Sequence, residues 1–363
     1  MAVVRGLART PRPRPVLAGH RCRLPRSGDR PGAPCRRLVR HLHRGDHSRV
    51  HAFEGQRRQR AGARRTAANH RPVGPYVLRW RLPRPAIRSL RRCAADLTGA
   101  HVQFYDRWLR GRADALDGTA PVRIFVMGID QWRDEPDWPL PDTTYVDYHL
   151  DSAGEANTAD GDGVLRTHPA STEAVDTYDY DPAQPVPSLG GRIMLPVALN
   201  AVGPVDQSPV ETRHDVVCFT TPVLDEPVEV TGHVSLVLHV ASSALDTDFT
   251  GKLVDVFPDG RAIYLTDGIL RARYRHSLAE PELLEPGHVY EITLDLSATS
   301  NVFLPGHRIR LEVSSSNFPR FDRNTNTGGT INRESLQQSL VATNRILHGP
   351  AHPSRLVLPI IRR

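Results

Sequence analysis

Hydrophobic and polar residues alternate in short runs along most of the chain after residue 120, which is the pattern of half-buried β-strands. Between residues 228 and 240 the apolar side chains occupy one face for most of the run, and Gly232 within it predicts a β-bulge. Asp259 and Gly260 separate two apolar runs and predict a hairpin turn. The predicted strands are residues 122–128, 144–150, 177–180, 216–220, 228–241, 249–257, 263–275, 289–296, 308–314 and 355–361.

A different pattern precedes these strands. Val102, Tyr105, Trp108 and Leu109 recur at helical spacing, with charged residues elsewhere on the wheel. Residues 101–110 are therefore predicted to form one amphipathic helix.

Little helix separates the predicted strands from one another. The Trp- and Pro-rich residues 131–141 are interpreted as a loop. Nine or so short strands at this spacing predict a mainly β fold, an antiparallel two-sheet sandwich of jelly-roll type over residues 142–363. No run approaches the roughly 18 consecutive apolar residues of a membrane-spanning helix, so no membrane partner is expected.

Charge divides the chain near residue 95. Residues 1–95 contain 25 arginines, no lysine and three acidic residues, a balance of +22, so the remainder carries −15 to give the formal net charge of +7. The first part shows neither helical nor strand periodicity and holds ten prolines, which predicts a disordered or non-native segment. Basic arms often bind phosphate. We nevertheless expect no nucleic-acid partner, because translation of the gene in a wrong reading frame explains these arginines better.

No metal site and no cofactor are predicted. The four cysteines lack the close CxxC pairing of zinc and redox motifs. Four histidines between residues 41 and 51 stand among arginines that repel a cation. Five aspartates between residues 246 and 267 suit calcium chemically, but their hairpin context favours bonds to turn amides and pairing with Arg261, Arg271 or Arg273. These residues are His41, His43, His47, His51, Asp246, Asp248, Asp255, Asp259 and Asp267.

The sequence offers no recognisable catalytic serine. No Gly-x-Ser-x-Gly nucleophile elbow occurs in the 363 residues. Ser277 follows His276, but adjacent strand residues point to opposite faces and cannot form a nucleophile–base pair. The polar residues among 317–324 are interpreted as a loop held by its own side chains. We therefore predict no catalytic residue in this chain.

Several long blocks of the second part resemble one enzyme family. Residues 246–268, 271–275, 298–310 and 314–326 resemble, in order, the C-terminal domain of cocaine-esterase-like and Xaa-Pro dipeptidyl-peptidase-like serine hydrolases, the CocE/NonD family. The last block reads Ser314-Ser-Ser-Asn-Phe-Pro-Arg-Phe-Asp-Arg-Asn-Thr-Asn326. Residues 104–109, Phe-Tyr-Asp-Arg-Trp-Leu, resemble the closing helix of the family's α/β-hydrolase domain.

The resemblance implies three parts. Residues 1–95 are the Arg- and Pro-rich segment, residues 96–120 a remnant of the α/β-hydrolase domain, and residues 121–363 a galactose-binding-like β-sandwich with its linking strand and loop. In the family, a Ser–His–Asp triad transfers acyl groups of esters, amides or Xaa-Pro dipeptides to water, so the implied partner is a small-molecule acyl substrate. This chain is expected to be an inactive, cytoplasmic fragment, because nucleophile, Asp and His are missing from it.

One substrate-facing prediction rests on the same resemblance. Part of the family's C-terminal domain borders the active-site cleft, and the matching segment here follows Gly190 and Gly191. Ile193, Met194 and Leu195 are therefore candidate residues of the substrate rim, with an ordinary core role as the alternative.

The first part is interpreted as coding sequence read in the wrong frame. Arginine almost without lysine suits a GC-rich genome. Moving the reading frame forward by one base permits Gly-Trp-Tyr-Asp-Ile-Phe at residues 37–42, which resembles the family segment bearing the triad Asp. The same shift permits Gly-Arg-Leu-Gln-Ile-Ile-Gly-Pro-Trp-Asp-His-Thr at residues 65–76, which resembles the family segment bearing the triad His. The codons of Arg40 and Pro75 would then have encoded those two residues. Sequencing the DNA through residue 95 tests this hypothesis.

An alternative interpretation is a free-standing β-sandwich that binds carbohydrate or protein, with a basic tail for acidic partners. The segment 104–109 favours the hydrolase, because a self-contained sandwich has no use for the last helix of a catalytic domain. Specific sugar binding would favour the alternative. Acyl specificity and oligomeric state stay open.

Overall fold

The computed structural model describes residues 97–193, 201–331 and 333–363. The expectations for residues 1–95, including the frame shift, lie outside them. Helix α1 is Leu97–Trp108, helix α2 is Ser208–Glu211, and two 3₁₀ helices are Ala272–Tyr274 and Leu336–Gln338. None of the helices in these ranges has the length and apolar character needed to cross a membrane. The strands are β1 Val122–Val126, β2 Gln131–Glu135, β3 Thr143–Asp151, β4 Val164–Arg166, β5 Ala174–Tyr180, β6 Val217–Thr220, β7 Val228–Ser242, β8 Asp248–Val256, β9 Ala262–Arg271, β10 Tyr290–Phe303, β11 Arg308–Ser314, β12 Ala342–His348 and β13 Arg355–Ile361.

The strands form an antiparallel sandwich, as the alternating pattern predicts. Strands β1 and β2 pair only with each other, and the other eleven form one hydrogen-bonded system in the order β5-β12-β7-β13-β3-β4-β6-β11-β8-β9, with β10 added beside β7. Every pairing between named strands is antiparallel except that of β4 with β6. The prediction of a mainly β, antiparallel fold is confirmed.

The core lies between the layers of this sandwich. Phe219 of β6, Phe249 of β8 and Phe303 of β10 are completely buried. Strand β8 is buried at every position, because it has neighbours on both edges and side chains over both faces. Each large apolar side chain removed from water stabilises the fold by about 1.5–3 kcal/mol, so this layer supplies most of the driving force.

Strands β9 and β10 approach each other so closely that a side chain is excluded. A Cβ at Gly268 of β9 would overlap the carbonyl oxygen of Asp295 in β10. Thr266, two residues earlier, donates its hydroxyl to the carbonyl of Leu296. The absence of a side chain at Gly268 therefore brings the two backbones together where β10 bulges between Asp295 and Ala298.

Two local predictions are confirmed. Asp259 and Gly260 lie in the turn between β8 and β9, where Val256 pairs with Ala262. The irregularity predicted at Gly232 lies in β7, whose register against β13 shifts across this region. Gly232 has a φ of 147°, and a Cβ there would come within 2.7 Å of Pro359 in β13. Only glycine adopts this backbone readily.

Other boundaries differ from the predictions. The interpretation of residues 131–141 as a loop is wrong at its start, where Gln131–Glu135 form β2 against β1 and Trp132 packs edge-on against Phe125. Strands β4 and β12 were not predicted, and β10 continues past residue 296 to Phe303. The predicted strand over residues 263–275 ends at Arg271, because the chain turns there into a 3₁₀ helix.

Candidate functional site

The predicted substrate rim lies partly within the described residues. Ile193 is buried, with 5% of its surface exposed, and Met194 and Leu195 lie outside the described residues. Gly191 just before them exchanges both backbone hydrogen bonds with Gly203, at 2.8 and 3.0 Å. The proposed contact of this segment with substrate stays a prediction.

Asp267 of β9 anchors the segment that precedes Ile193 to the sandwich. Its carboxylate is almost fully buried and accepts hydrogen bonds from the Tyr264 hydroxyl at 2.8 Å, from Asn317 Nδ2 at 2.9 Å and from the guanidinium of Arg320. Arg192, one residue before Ile193, donates Nη2 to the Asp267 backbone carbonyl at 2.8 Å. Burial, and then the charge of Asp267, raise the pKa of Tyr264. The same Arg192 Nη2 also lies 3.4 Å from the Asp267 carboxylate, which is therefore a structural acceptor for four side chains.

The remaining aspartates of the group pair with basic side chains, as their hairpin context predicts. Asp246 accepts from Arg273 at 2.7 Å, Asp248 from Arg271 at 2.8 Å, and Asp259 from Arg261 at 2.8 Å. Asp255 lies 2.7 Å from His307 Nδ1. In the described part of the chain, no group of three or more His, Cys, Asp or Glu side chains is arranged to hold a metal ion.

A serine, a histidine and an aspartate meet at one end of the sandwich. Ser152 follows β3, Asp176 lies in β5 and His348 ends β12. Ser152 Oγ is 3.0 Å from His348 Nε2, and Asp176 Oδ2 is 2.8 Å from the same nitrogen. Sequence reasoning missed this cluster, because its members are 24 and 172 residues apart and belong to no local motif.

The geometry of this cluster is not that of a catalytic triad. In a triad the serine and the carboxylate bind opposite ring nitrogens, so that the carboxylate orients the base while the other nitrogen takes the serine proton. Here both bind Nε2, and Nδ1 of His348 has no hydrogen-bond partner. Asp176 and His348 are also completely buried. The cluster joins the end of β3 to strands β5 and β12, and its geometry is not that of an activated serine.

The sequence neighbours Ser277 and His276 also lack the contact of a nucleophile with its base. Ser277 Oγ accepts hydrogen bonds from the backbone N–H groups of Ala279 and Glu280, both at 3.2 Å. The hydroxyl therefore closes a turn beside the exposed His276. The prediction that this pair has a surface role agrees with these contacts.

A buried ionic network crosses β8 and β11. Lys252 Nζ donates to Glu312 at 2.7 Å and to Gln207 at 2.8 Å, and Arg310 Nη1 donates to Glu211 at 2.6 Å. Oε1 of Glu211 and Oε1 of Glu312 have no donor. Burial, and then the charge of Glu312, raise the pKa of Glu211 to about 8. The direction of this shift favours the protonated form of Glu211 at neutral pH.

Residues 114–357 match the model of the X-Pro dipeptidyl-peptidase C-terminal non-catalytic domain. The cocaine esterase of Rhodococcus sp. (strain MB1 Bresler) is 60% identical over 268 residues, which are 74% of this chain and 46% of that protein. A putative serine esterase of Mycobacterium tuberculosis (strain CDC 1551 / Oshkosh) is 27% identical over 326 residues, 82% of this chain and 46% of that protein. The chain thus spans about half the length of these relatives.

Two solved structures share the fold. An aminopeptidase from a marine sediment archaeon, Thaumarchaeota archaeon, superposes with a TM-score of 0.63 at 31% identity over 72% of this chain and 43% of its own. An α-amino acid ester hydrolase superposes with a TM-score of 0.60 at 28% identity over 71% of this chain and 44% of its own. Both similarities cover less than half of the solved chain.

Proposed function

Since the chain belongs to the family of the X-Pro dipeptidyl-peptidase C-terminal non-catalytic domain, we propose that its β-sandwich is the non-catalytic part of an α/β-type serine hydrolase. The 60% identity to a cocaine esterase over 268 residues carries this proposal. The intact enzyme would transfer an acyl group from a small ester, amide or Xaa-Pro dipeptide to water. In the intact enzyme the sandwich would support a catalytic domain and contribute at most to the rim of the active-site cleft.

We further propose that the 363-residue polypeptide has no hydrolase activity of its own. Its sequence has no nucleophile elbow. In the Ser152–His348–Asp176 cluster, the serine and the aspartate both contact Nε2 of His348, and Asp176 and His348 are completely buried. A serine that is not activated by a correctly placed base is a weak nucleophile. The catalytic serine, base and orienting acid would belong to the α/β-hydrolase domain.

Helix α1 supports the hydrolase interpretation over a free-standing binding module. Val102, Tyr105 and Trp108 are each more than half exposed, although they lie on the apolar side of the helix. A helix normally buries such a stripe against a neighbour. We propose that the catalytic domain of the assembled enzyme covers it.

A chimeric enzyme tests this proposal. The matched part of the Rhodococcus cocaine esterase is replaced by the 268 matched residues of this chain, and hydrolysis of a chromogenic ester is measured. The chimera should remain an esterase and react with a fluorophosphonate probe. A folded chimera without activity would contradict the proposal.

The unaltered chain is measured in the same two assays. It should hydrolyse the ester no faster than buffer and remain unlabelled by the fluorophosphonate, and Ser152→Ala should leave this baseline unchanged. Stoichiometric labelling of any serine would overturn the claim of inactivity. The expected cytoplasmic location also stays a prediction, which cell fractionation would test.

A further inference from the structure

An open cavity of about 220 Å³ lies beside the 3₁₀ helix Leu336–Gln338 and has no part in the function proposed above. It is smaller than the pockets of about 300–1,000 Å³ that hold drug-sized ligands, so it suits a small organic molecule. One set of its lining residues is apolar and another is charged. The apolar set is Pro182, Phe318, Ile331 and Leu336, and the charged set is Arg271, Arg273, Arg323, Asp322 and Glu334.

Two of the three arginines are already engaged. Arg271 donates to both carboxylate oxygens of the buried Asp248, at 2.8 and 3.1 Å. Arg273 donates to the buried Asp246 at 2.7 Å and to the Gly329 carbonyl at 2.9 Å. Bidentate and buried pairs of this kind hold a guanidinium in place. These two side chains therefore form a fixed wall of the cavity.

The two carboxylates at the cavity are also engaged. Asp322 accepts from Arg271 at 3.3 Å. Glu334 accepts from the hydroxyls of Thr325 and Thr327. Two acidic side chains at the cavity weigh against a ligand with more than one negative charge.

Arg323 differs from the other two arginines. Its guanidinium is half-buried and stacks 4.8 Å from the centre of the Phe318 ring. Among the described residues it forms no ion pair with a carboxylate, and its side chain makes a single hydrogen bond, from Nη1 to the Pro182 carbonyl at 3.4 Å. A guanidinium carries five N–H donors in a planar fork that fits a carboxylate. Most of that capacity is unfilled.

We propose that this cavity binds a small organic monocarboxylate with a short apolar chain. The carboxylate accepts the free N–H donors of Arg323, and the chain lies against Phe318, Ile331 and Leu336. An inorganic phosphate fits less well, because it has no apolar part and its second charge faces Asp322 and Glu334.

Isothermal titration of the full chain with hexanoate tests the proposal. Hexan-1-ol has the same chain without the charge, acetate has the charge without the chain, and inorganic phosphate is a different oxyanion. Hexanoate should bind saturably, and each of the other three should bind at least about tenfold more weakly, because charged hydrogen bonds and apolar burial each contribute more than about 1.4 kcal/mol.

Variants locate the site. Arg323→Gln should weaken hexanoate binding at least about tenfold, whereas Arg345→Gln, which removes an exposed arginine of β12, should leave it unchanged. Ile331→Ala should reduce the ratio of the hexanoate affinity to the acetate affinity. This variant tests the proposal even if Arg323→Gln fails to fold. The proposal is overturned by the absence of saturable hexanoate binding, by equal binding to wild type and Arg323→Gln, or by tighter binding of phosphate.

Discussion

Two glutamates, Glu211 and Glu312, are buried within the sandwich, and the charge of Glu312 contributes to the raised pKa of Glu211. Each accepts a hydrogen bond from one cation, Arg310 or Lys252, and each keeps one oxygen without a donor. Leaving both charged would place two like charges side by side in a low-dielectric interior. A protonated Glu211 avoids this repulsion. Burial, and then the charge of Glu312, therefore raise the pKa of Glu211 to about 8.

The raised pKa of Glu211 predicts that the folded chain loses stability as pH rises from about 4.5 to about 8. The pKa of Glu211 is higher in the folded chain than its ordinary value of 4.5, so its contribution is fully present below about pH 4.5 and is lost as pH rises through about 8. The free energy of unfolding, measured by urea denaturation, should fall by on the order of a few kcal/mol across this window.

Glu211→Gln, which keeps the shape and stays neutral, should flatten that dependence. Glu280→Gln, an exposed change of the same charge, should leave it as in wild type. Parallel pH profiles for wild type and Glu211→Gln would contradict the interpretation.

Side-chain pairs could be predicted from the sequence only where both partners share a hairpin. Asp248 and Arg271 face each other across β8 and β9, so the turn at Asp259 already brings them together. Ser152 follows β3, whereas Asp176 and His348 lie in β5 and β12, and the positions of these three strands depend on the whole sheet order. No spacing rule within one segment contains that information.

The same distinction holds for strands. Long runs such as β7 and β13 alternate or are continuously apolar, and their existence is predicted from the pattern alone. Strand β12 is different, because it carries Asn344 and His348 at completely buried positions. Their partners, such as Ser315 for Asn344, come from elsewhere in the chain, so a polar sequence is stable as a central strand.

The approach of β9 to β10 predicts an intolerant glycine. Gly268→Ala places a methyl group against the Asp295 backbone carbonyl, which has no rotamer through which to yield. We expect a loss of about 2–4 kcal/mol in the free energy of unfolding, measured by urea denaturation.

Gly260→Ala is the control for this prediction. Its Cβ would meet nothing within 4 Å, and its cost is limited to the backbone preference at a φ of 87°, about 1–2 kcal/mol. Equal costs at the two positions would show that the β9–β10 contact can relax.

The described chain should behave as one resistant core. Eleven strands share a single hydrogen-bonded system, whereas the sequence predicts no stable fold for residues 1–95. Proteases cleave segments that open at low cost in free energy. Limited proteolysis followed by mass spectrometry should therefore recover a fragment that keeps β1 to β13, and a protected fragment within residues 1–90 would contradict this.

The ionic network that holds Lys252 also makes the folded chain a poor substrate for amine chemistry. Lys252 is the only lysine in the 363 residues, and its ammonium is buried and bonded to Glu312 and Gln207. Acylation by an N-hydroxysuccinimide ester needs a free, deprotonated and accessible amine. Peptide mapping after a pulse of such a reagent should find residue 252 unmodified in the native chain and acylated in urea. Acylation of this single lysine thus reports, for each molecule, whether the sandwich has opened around β8.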